Sequence, residues 1–232
     1  MSLGVIVATN QELTETKRIM NNIVEIQYYN LNFCIGKISN CDIVLVKCGV
    51  GKVNAARTTQ ILIDKFDIEK IINIGAAGGV NPKLNVKDIV IGKKLVQYDF
   101  NTSELGDTTK GEIDGVGKYF ESDSSLVEKC KQVLNNEQNK EYEYKVGVIA
   151  TADCFCSDLK ISEQIRKEFD AECVDMEGAA IAQVCYLDNI PFLVVRGISD
   201  TPNKTRKIDY FSYCNIAAKQ AAGLIKKILI EK

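Results

Sequence analysis

The sequence predicts an α/β fold in which a mixed, largely parallel sheet is covered by helices on both faces. Three observations carry this. The apolar segments are continuous runs such as "CDIVLV" and "PFLVV", the mark of strands buried on both sides. Stretches of helical spacing separate them, as in parallel crossover units. No linker, low-complexity segment or internal repeat divides the 232 residues, so 1–232 reads as one domain.

Taken in order, "LGVIVAT" opens the chain as a strand, and "NQELTETKRIMNNI" follows with helical spacing and Asn10 as its cap. "CDIVLVKCGV" is a buried strand that runs into "GVGKVNAARTTQILIDKF", a glycine turn followed by an amphipathic helix. "KIINIGAAGGV" repeats the theme, a strand ending in glycines. "KDIVIGKKLVQYDF", "YKVGVIATADCF", "AECVDM" and "PFLVVRGISD" supply further strands. Helices are expected near residues 123–136, 159–168, 177–187 and 211–231.

Composition removes several function classes. A net charge of −2 offers no basic surface for nucleic acid. No apolar run reaches the roughly 20 residues of a membrane-spanning helix. The amino-terminal strand turns acidic where a signal peptide would continue apolar, so a cytoplasmic location is expected. Nine cysteines, odd in number and mostly inside apolar runs, read as buried reduced thiols rather than a disulfide set. The chain has no histidine, which argues against imidazole triads and against a zinc site. Acid and base work falls to Asp, Glu, Lys, Tyr or Cys.

In such sheets ligands bind at the carboxyl ends of the strands. Those ends read "VATNQE", "KCGVGKVN", "NIGAAGGV", "TADCFC", "VDMEG" and "RGISD". They share small residues, which admit a ligand to the backbone, and single carboxylates at Glu12, Asp153, Glu177 and Asp200. Carboxylates converging on one edge perturb one another's ionisation. Asp175 and Glu177 also open an alanine-rich helix, where the helix dipole alone favours acids, so a helix start and an active site both stay open there. "GVGKVNAA" lacks the third glycine of a dinucleotide fingerprint and the long loop of a P-loop. Arg196, inside a strand, reads as a structural ion-pair partner.

Taken together, "GVGKVNAA" (49–56), "NIGAAGGV" (73–80), "VDMEGAAIAQVC" (174–185) and "VVRGISD" (194–200) resemble the 5′-methylthioadenosine/S-adenosylhomocysteine nucleosidases of the purine nucleoside phosphorylase and nucleosidase superfamily. The resemblance spans nearly the whole chain, including "NIAAKQAA" in the last helix. It implies a three-layer αβα sandwich of nucleoside phosphorylase type, commonly a homodimer, that hydrolyses the bond between adenine and a thio-substituted ribose without metal or other cofactor. It also implies a place in methionine salvage. Asp200 matches the family's acid for adenine N7, oriented by Ser199, and Glu12 its general base for water. Glu177 matches the residue that holds the ribose hydroxyls, with Met176 packed beside the sugar. Phe155 matches an aromatic that stacks on adenine, and the backbone of Cys156 would read the purine edge. Asp175, where the family more often has Glu, either binds ribose or supports the strand end.

Where relatives line the 5′ pocket with apolar groups, this chain has Thr9, Val50, Thr102, Leu105 and Tyr210, and Ala76 stands where serine is common. Substrates with a larger or polar 5′ substituent and simple drift both fit this. A phosphate-dependent phosphorylase is the closest rival. Related hexameric phosphorylases have arginine where this chain has Asn73, and Glu12 would repel phosphate. A silent nucleoside-binding protein and another adenine nucleosidase are the further alternatives.

Overall fold

The computed structural model describes residues 2–201 and 206–230, the stretch 206–212 by its backbone alone. Tyr210 thus lies outside the described residues as a candidate site residue. The elements are β1 (Ser2–Val7), α1 (Asn10–Lys17), β2 (Asn21–Tyr28), β3 (Leu31–Ile38), β4 (Cys41–Lys47), α2 (Lys52–Lys65) and β5 (Ile68–Gly79). They continue with β6 (Ile89–Gln97), β7 (Phe120–Glu121), α3 (Ser124–Asn136), β8 (Tyr144–Thr151) and α4 (Leu159–Phe169). The last are β9 (Ala171–Asp175), α5 (Gly178–Leu187), β10 (Phe192–Asp200) and α6 (Arg206–Ile230).

The sheet is mixed. β1 lies between β4 and β5, parallel to both. β10 runs parallel to β5 and antiparallel to β6. β6, β8 and β9 follow in parallel. β9 then pairs antiparallel with the end of β5 through Gly78 and Gly79. The strands β5, β10, β6, β8 and β9 therefore close into a ring, from which β1, β4, β3 and β2 extend as an open arm.

Helices cover both faces, as the continuous apolar strands require. On one face Ala55 and Leu62 of α2 and Ala179 to Ala182 of α5 pack on Ile6, Val46 and Ile71. On the other, Val127 and Cys130 of α3 and Ala221 and Ile225 of α6 pack on Val5, Ile72 and Val195. A third cluster seats Ile165 and Phe169 of α4 against Val96 and Ala150. Each fully buried Ile or Leu among these contributes roughly 1.5–3 kcal/mol through removal of apolar surface from water. Among the described residues no disulfide forms, and burial pushes the Cys130 thiol up to about 12. No helix among the described residues is long and apolar enough to cross a membrane.

Two local expectations need correction. Thr9, not Asn10, caps α1: its side chain accepts the Glu12 N–H, and the Glu12 side chain returns to the Thr9 N–H. This reciprocal capping box satisfies two otherwise orphaned donors. The helix also stops at Lys17 instead of running to Ile23, because β2 begins at Asn21. The β2–β3 hairpin had no counterpart in the sequence reading. β2 is the sheet's outer strand and is exposed almost throughout, so burial leaves no pattern in it.

Candidate active site

Glu12 enters the site from the third position of α1, directly after β1. Its carboxylate is only 4 % exposed and accepts three backbone N–H groups: Ala8 at 2.8 Å, Thr9 at 2.9 Å and Ala76 at 3.1 Å. Burial of a carboxylate without such donors would be costly. Gly75 makes the approach feasible, since a Cβ there would lie 2.9 Å from Glu12 Oε1. The same acid thus serves as helix cap and as a wall of the cleft.

Asp200, the last residue of β10, is 1 % exposed. The Ser199 hydroxyl donates to its Oδ1 at 2.8 Å, or alternatively to the Ala77 carbonyl at 3.2 Å. One proton can serve only one of these at a time, so the serine can hold Asp200 or release it.

Glu177 is the residue before α5, yet its side chain does not cap that helix. It accepts the Gly51 N–H at 2.9 Å instead, at the start of α2. Burial pushes its carboxyl up to about 7, helped by the Asp175 charge and opposed by the Arg196 guanidinium and the Gly51 N–H.

Asp175, two residues earlier, belongs to a different network. Its Oδ1 accepts the Thr151 hydroxyl at 2.5 Å, and its Oδ2 accepts the Gly178 N–H at 3.1 Å and Arg196 Nε at 2.9 Å. Arg196 also bonds the Asn73 side chain. A Cβ at position 178 would sit 2.4 Å from Asp175 Oδ2, so glycine is needed there. Of the two readings open for Asp175, this geometry supports the strand-end one, and it makes Arg196 the ion-pair partner expected of it.

One cleft gathers eleven of the residues named from the sequence: Thr9, Glu12, Val50, Ala76, Phe155, Cys156, Asp175, Met176, Glu177, Ser199 and Asp200. Ala8, Ala77, Gly78, Cys154 and Val174 complete the lining, each within two residues of a named one. Phe155 is 46 % exposed at the cleft. Three expectations fall outside the cleft. Asp153 is bound to the Lys52 N–H at 2.7 Å. Thr102 is bonded to Thr108 at 2.7 Å, and Leu105 is 84 % exposed in a short 3₁₀ turn.

The cleft therefore presents, besides the Arg196-paired Asp175, three buried carboxylates around a space with one aromatic wall. Glu12 stands on the arm side, Asp200 on the ring side and Glu177 beside the start of α5. Two acids at separate walls suit general acid and general base roles, while the third can meet a developing positive charge.

Known proteins resemble this chain over nearly its whole length. A family profile described as the phosphorylase superfamily matches residues 2–230. The 5′-methylthioadenosine/S-adenosylhomocysteine nucleosidase of Listeria monocytogenes is 36% identical over 231 residues, which cover 99% of each chain. The Streptococcus pneumoniae nucleosidase, solved with the transition-state inhibitor MT-ImmA, is 32% identical with a TM-score of 0.91, covering 99% of this chain and 98% of that one. Futalosine hydrolase of Helicobacter pylori superposes with a TM-score of 0.91 at 28% identity, covering 99% of this chain and 97% of that one. The chain belongs to the phosphorylase superfamily and, within it, to the 5′-methylthioadenosine/S-adenosylhomocysteine nucleosidases.

Proposed function

We propose that the cleft hydrolyses 5′-methylthioadenosine and S-adenosylhomocysteine with Asp200 as acid and Glu12 as base. Adenine leaves poorly as an anion, so protonated Asp200 gives its proton to N7 as the glycosidic bond breaks. The bonding pair goes to the purine, and the ribose carbon becomes an oxocarbenium-like cation. Ionised Glu177 binds the ribose hydroxyls and places negative charge near that cation, while Met176 packs on the sugar. Water attacks from the opposite face, Glu12 takes its proton, and the products are adenine and the 5′-thio-substituted ribose. Phe155 stacks on the purine, and the Cys156 backbone meets its edge.

The observation that carries this reading is the seat of Glu12. Its carboxylate occupies the Ala8, Thr9 and Ala76 N–H groups, which would otherwise be free to bind an anion. Phosphate would meet that negative charge. Arg196, the buried arginine, is already committed to Asp175 and Asn73. Water is the acceptor that this arrangement favours.

The test is adenine release from both thio-nucleosides and adenosine, with and without phosphate, and the mass of the sugar product. Free alkylthioribose in phosphate-free buffer supports the assignment; strict phosphate dependence with a ribose 1-phosphate product overturns it. The likeness to futalosine hydrolase supports a second reading, an adenine nucleoside with a larger polar 5′ group, and the same assay covers it. The protein is further assigned to methionine salvage in the cytoplasm as a homodimer. Exposed Val53 on α2 and Tyr186 and Leu187 on α5 give such pairing an apolar surface.

A further inference from the structure

Helix α2 begins without a cap of its own. Gly51 precedes it with no side chain to offer, and its first turn holds no acid. Its first residue is Lys52, the wrong sign for the positive end of a helix dipole. The orphaned donors are taken by carboxylates just beyond distant strands: the Gly51 N–H by Glu177 at 2.9 Å and the Lys52 N–H by Asp153 at 2.7 Å. The Lys52 ammonium bonds Asp99 Oδ1 at 2.6 Å, and Asp99 Oδ2 accepts the Asp153 N–H at 3.1 Å.

Lys52, Asp99 and Asp153 thus form a closed triangle of hydrogen bonds. It joins the start of α2 to the chain just beyond β6 and β8. The Lys52 and Asp99 side chains are 18% and 31% exposed, so water screens the pair only in part. Asp153 lies two residues before Phe155 and Lys52 lies one after Gly51, so the triangle connects the purine wall of the cleft to the ribose carboxylate. None of its three members lines the cleft itself.

We propose that Lys52, Asp99 and Asp153 are positioning residues that fix the separation between the Phe155 loop and Glu177, keeping the purine and ribose ends of the substrate in register. The inference rests on the roles given to Phe155 and Glu177 above. Without the ammonium, Asp99 and Asp153 face each other uncompensated, and the Phe155 loop shifts away from α2. A ligand that touches only the loop tolerates that shift. One that must meet the loop and Glu177 together does not.

The experiment uses Lys52→Met, which keeps the backbone N–H and the apolar stem. Three quantities are measured: kcat/KM for methylthioadenosine, calorimetric Kd for adenine alone, and Tm. The triangle predicts that kcat/KM falls about tenfold or more while adenine Kd stays within about twofold, with Lys52→Arg recovering most of the loss. Unchanged kcat/KM overturns the proposal. So does a joint fall of kcat/KM, adenine affinity and Tm, which is the signature of a merely structural contact. Should Lys52→Met fail to fold, Asp99→Asn, which keeps an acceptor for Lys52 but weakens the ion pair, is judged by the same three readouts. Wild-type protein that binds adenine yet releases none from any nucleoside would instead sink the assigned reaction, separately from the triangle.

Discussion

Arg196 and Asp175 form a buried ion pair beneath the cleft: Nε lies 2.9 Å and Nη2 2.7 Å from the same carboxylate oxygen, with each side chain 1% exposed. The pair places a fixed positive charge under a site otherwise built from acids. Its guanidinium draws the Glu177 carboxyl down, against the burial and the Asp175 charge that push it up. Asp175 thus lines the cleft beside Glu177 while its carboxylate is held by Arg196.

Asp175→Ala should destabilise the fold by about 3–5 kcal/mol, because it leaves a buried guanidinium uncompensated. Urea unfolding followed by circular dichroism measures this directly. A loss below about 1 kcal/mol would mean that water or Asn73 replaces the lost partner. Asp175→Asn, which keeps an acceptor for Arg196, should cost less than the alanine variant.

Glu12→Gln should lower kcat by about 10²–10⁴-fold through loss of the base. It should also cost about 1–3 kcal/mol of stability, since an amide has one acceptor oxygen where the carboxylate has two facing N–H donors. Steady-state kinetics and a thermal melt on one preparation read both effects. Retained turnover with reduced stability would assign Glu12 to capping alone.

Asp200→Asn should reduce adenine release by about 10²–10⁴-fold while KM moves only a few-fold, because the amide still fits beside Ser199 but has no acidic proton to give. A substrate whose leaving group departs without protonation should recover much of the rate. Failure to recover would place the role of Asp200 in binding.

The Glu177 carboxyl, raised to about 7 from an ordinary 4.5, makes the protein's stability pH-dependent in a definite direction. The folded state binds the proton more tightly than the unfolded one, so this contribution is fully present below about pH 4.5. It is lost as pH rises to about 7, where the cost of the buried charge is complete. Stability measured across that window should fall less steeply in Glu177→Gln than in the parent chain. Since the ionised form is the one that meets the ribose cation, kcat/KM should rise over the same interval, with its midpoint near pH 7.

Of the strand-end acids that stand out against the Val/Ile runs, Glu12, Glu177 and Asp200 line the cleft and Asp153 does not, while the other candidate residues were legible only through the family resemblance. The capping box was missed, although Thr9 and Glu12 have its spacing, and the cap was placed one residue late at Asn10. The β2–β3 hairpin was not legible, because an exposed outer strand has no buried face to imprint a pattern. Nor was the partnership of Asp175 with Arg196, or that of Lys52 with Asp99. Each joins residues far apart in the chain: the ring of strands brings Arg196 to Asp175, and the placement of α2 against the ring brings Lys52 to Asp99.

That ring divides the reaction in two. Phe155, Glu177 and Asp200 all follow or end strands of the ring, whereas Glu12 and Thr9 follow β1 of the open arm. The halves meet along the β1–β5 ladder, where the Ala76 N–H reaches the Glu12 carboxylate, and again where the Gly51 N–H reaches Glu177. In the proposed reaction, departure of the base and arrival of the acceptor then fall to different parts of one sheet. A lineage built on this scaffold can exchange its acceptor by altering one helix start on the arm, and leave the purine machinery of the ring as it is.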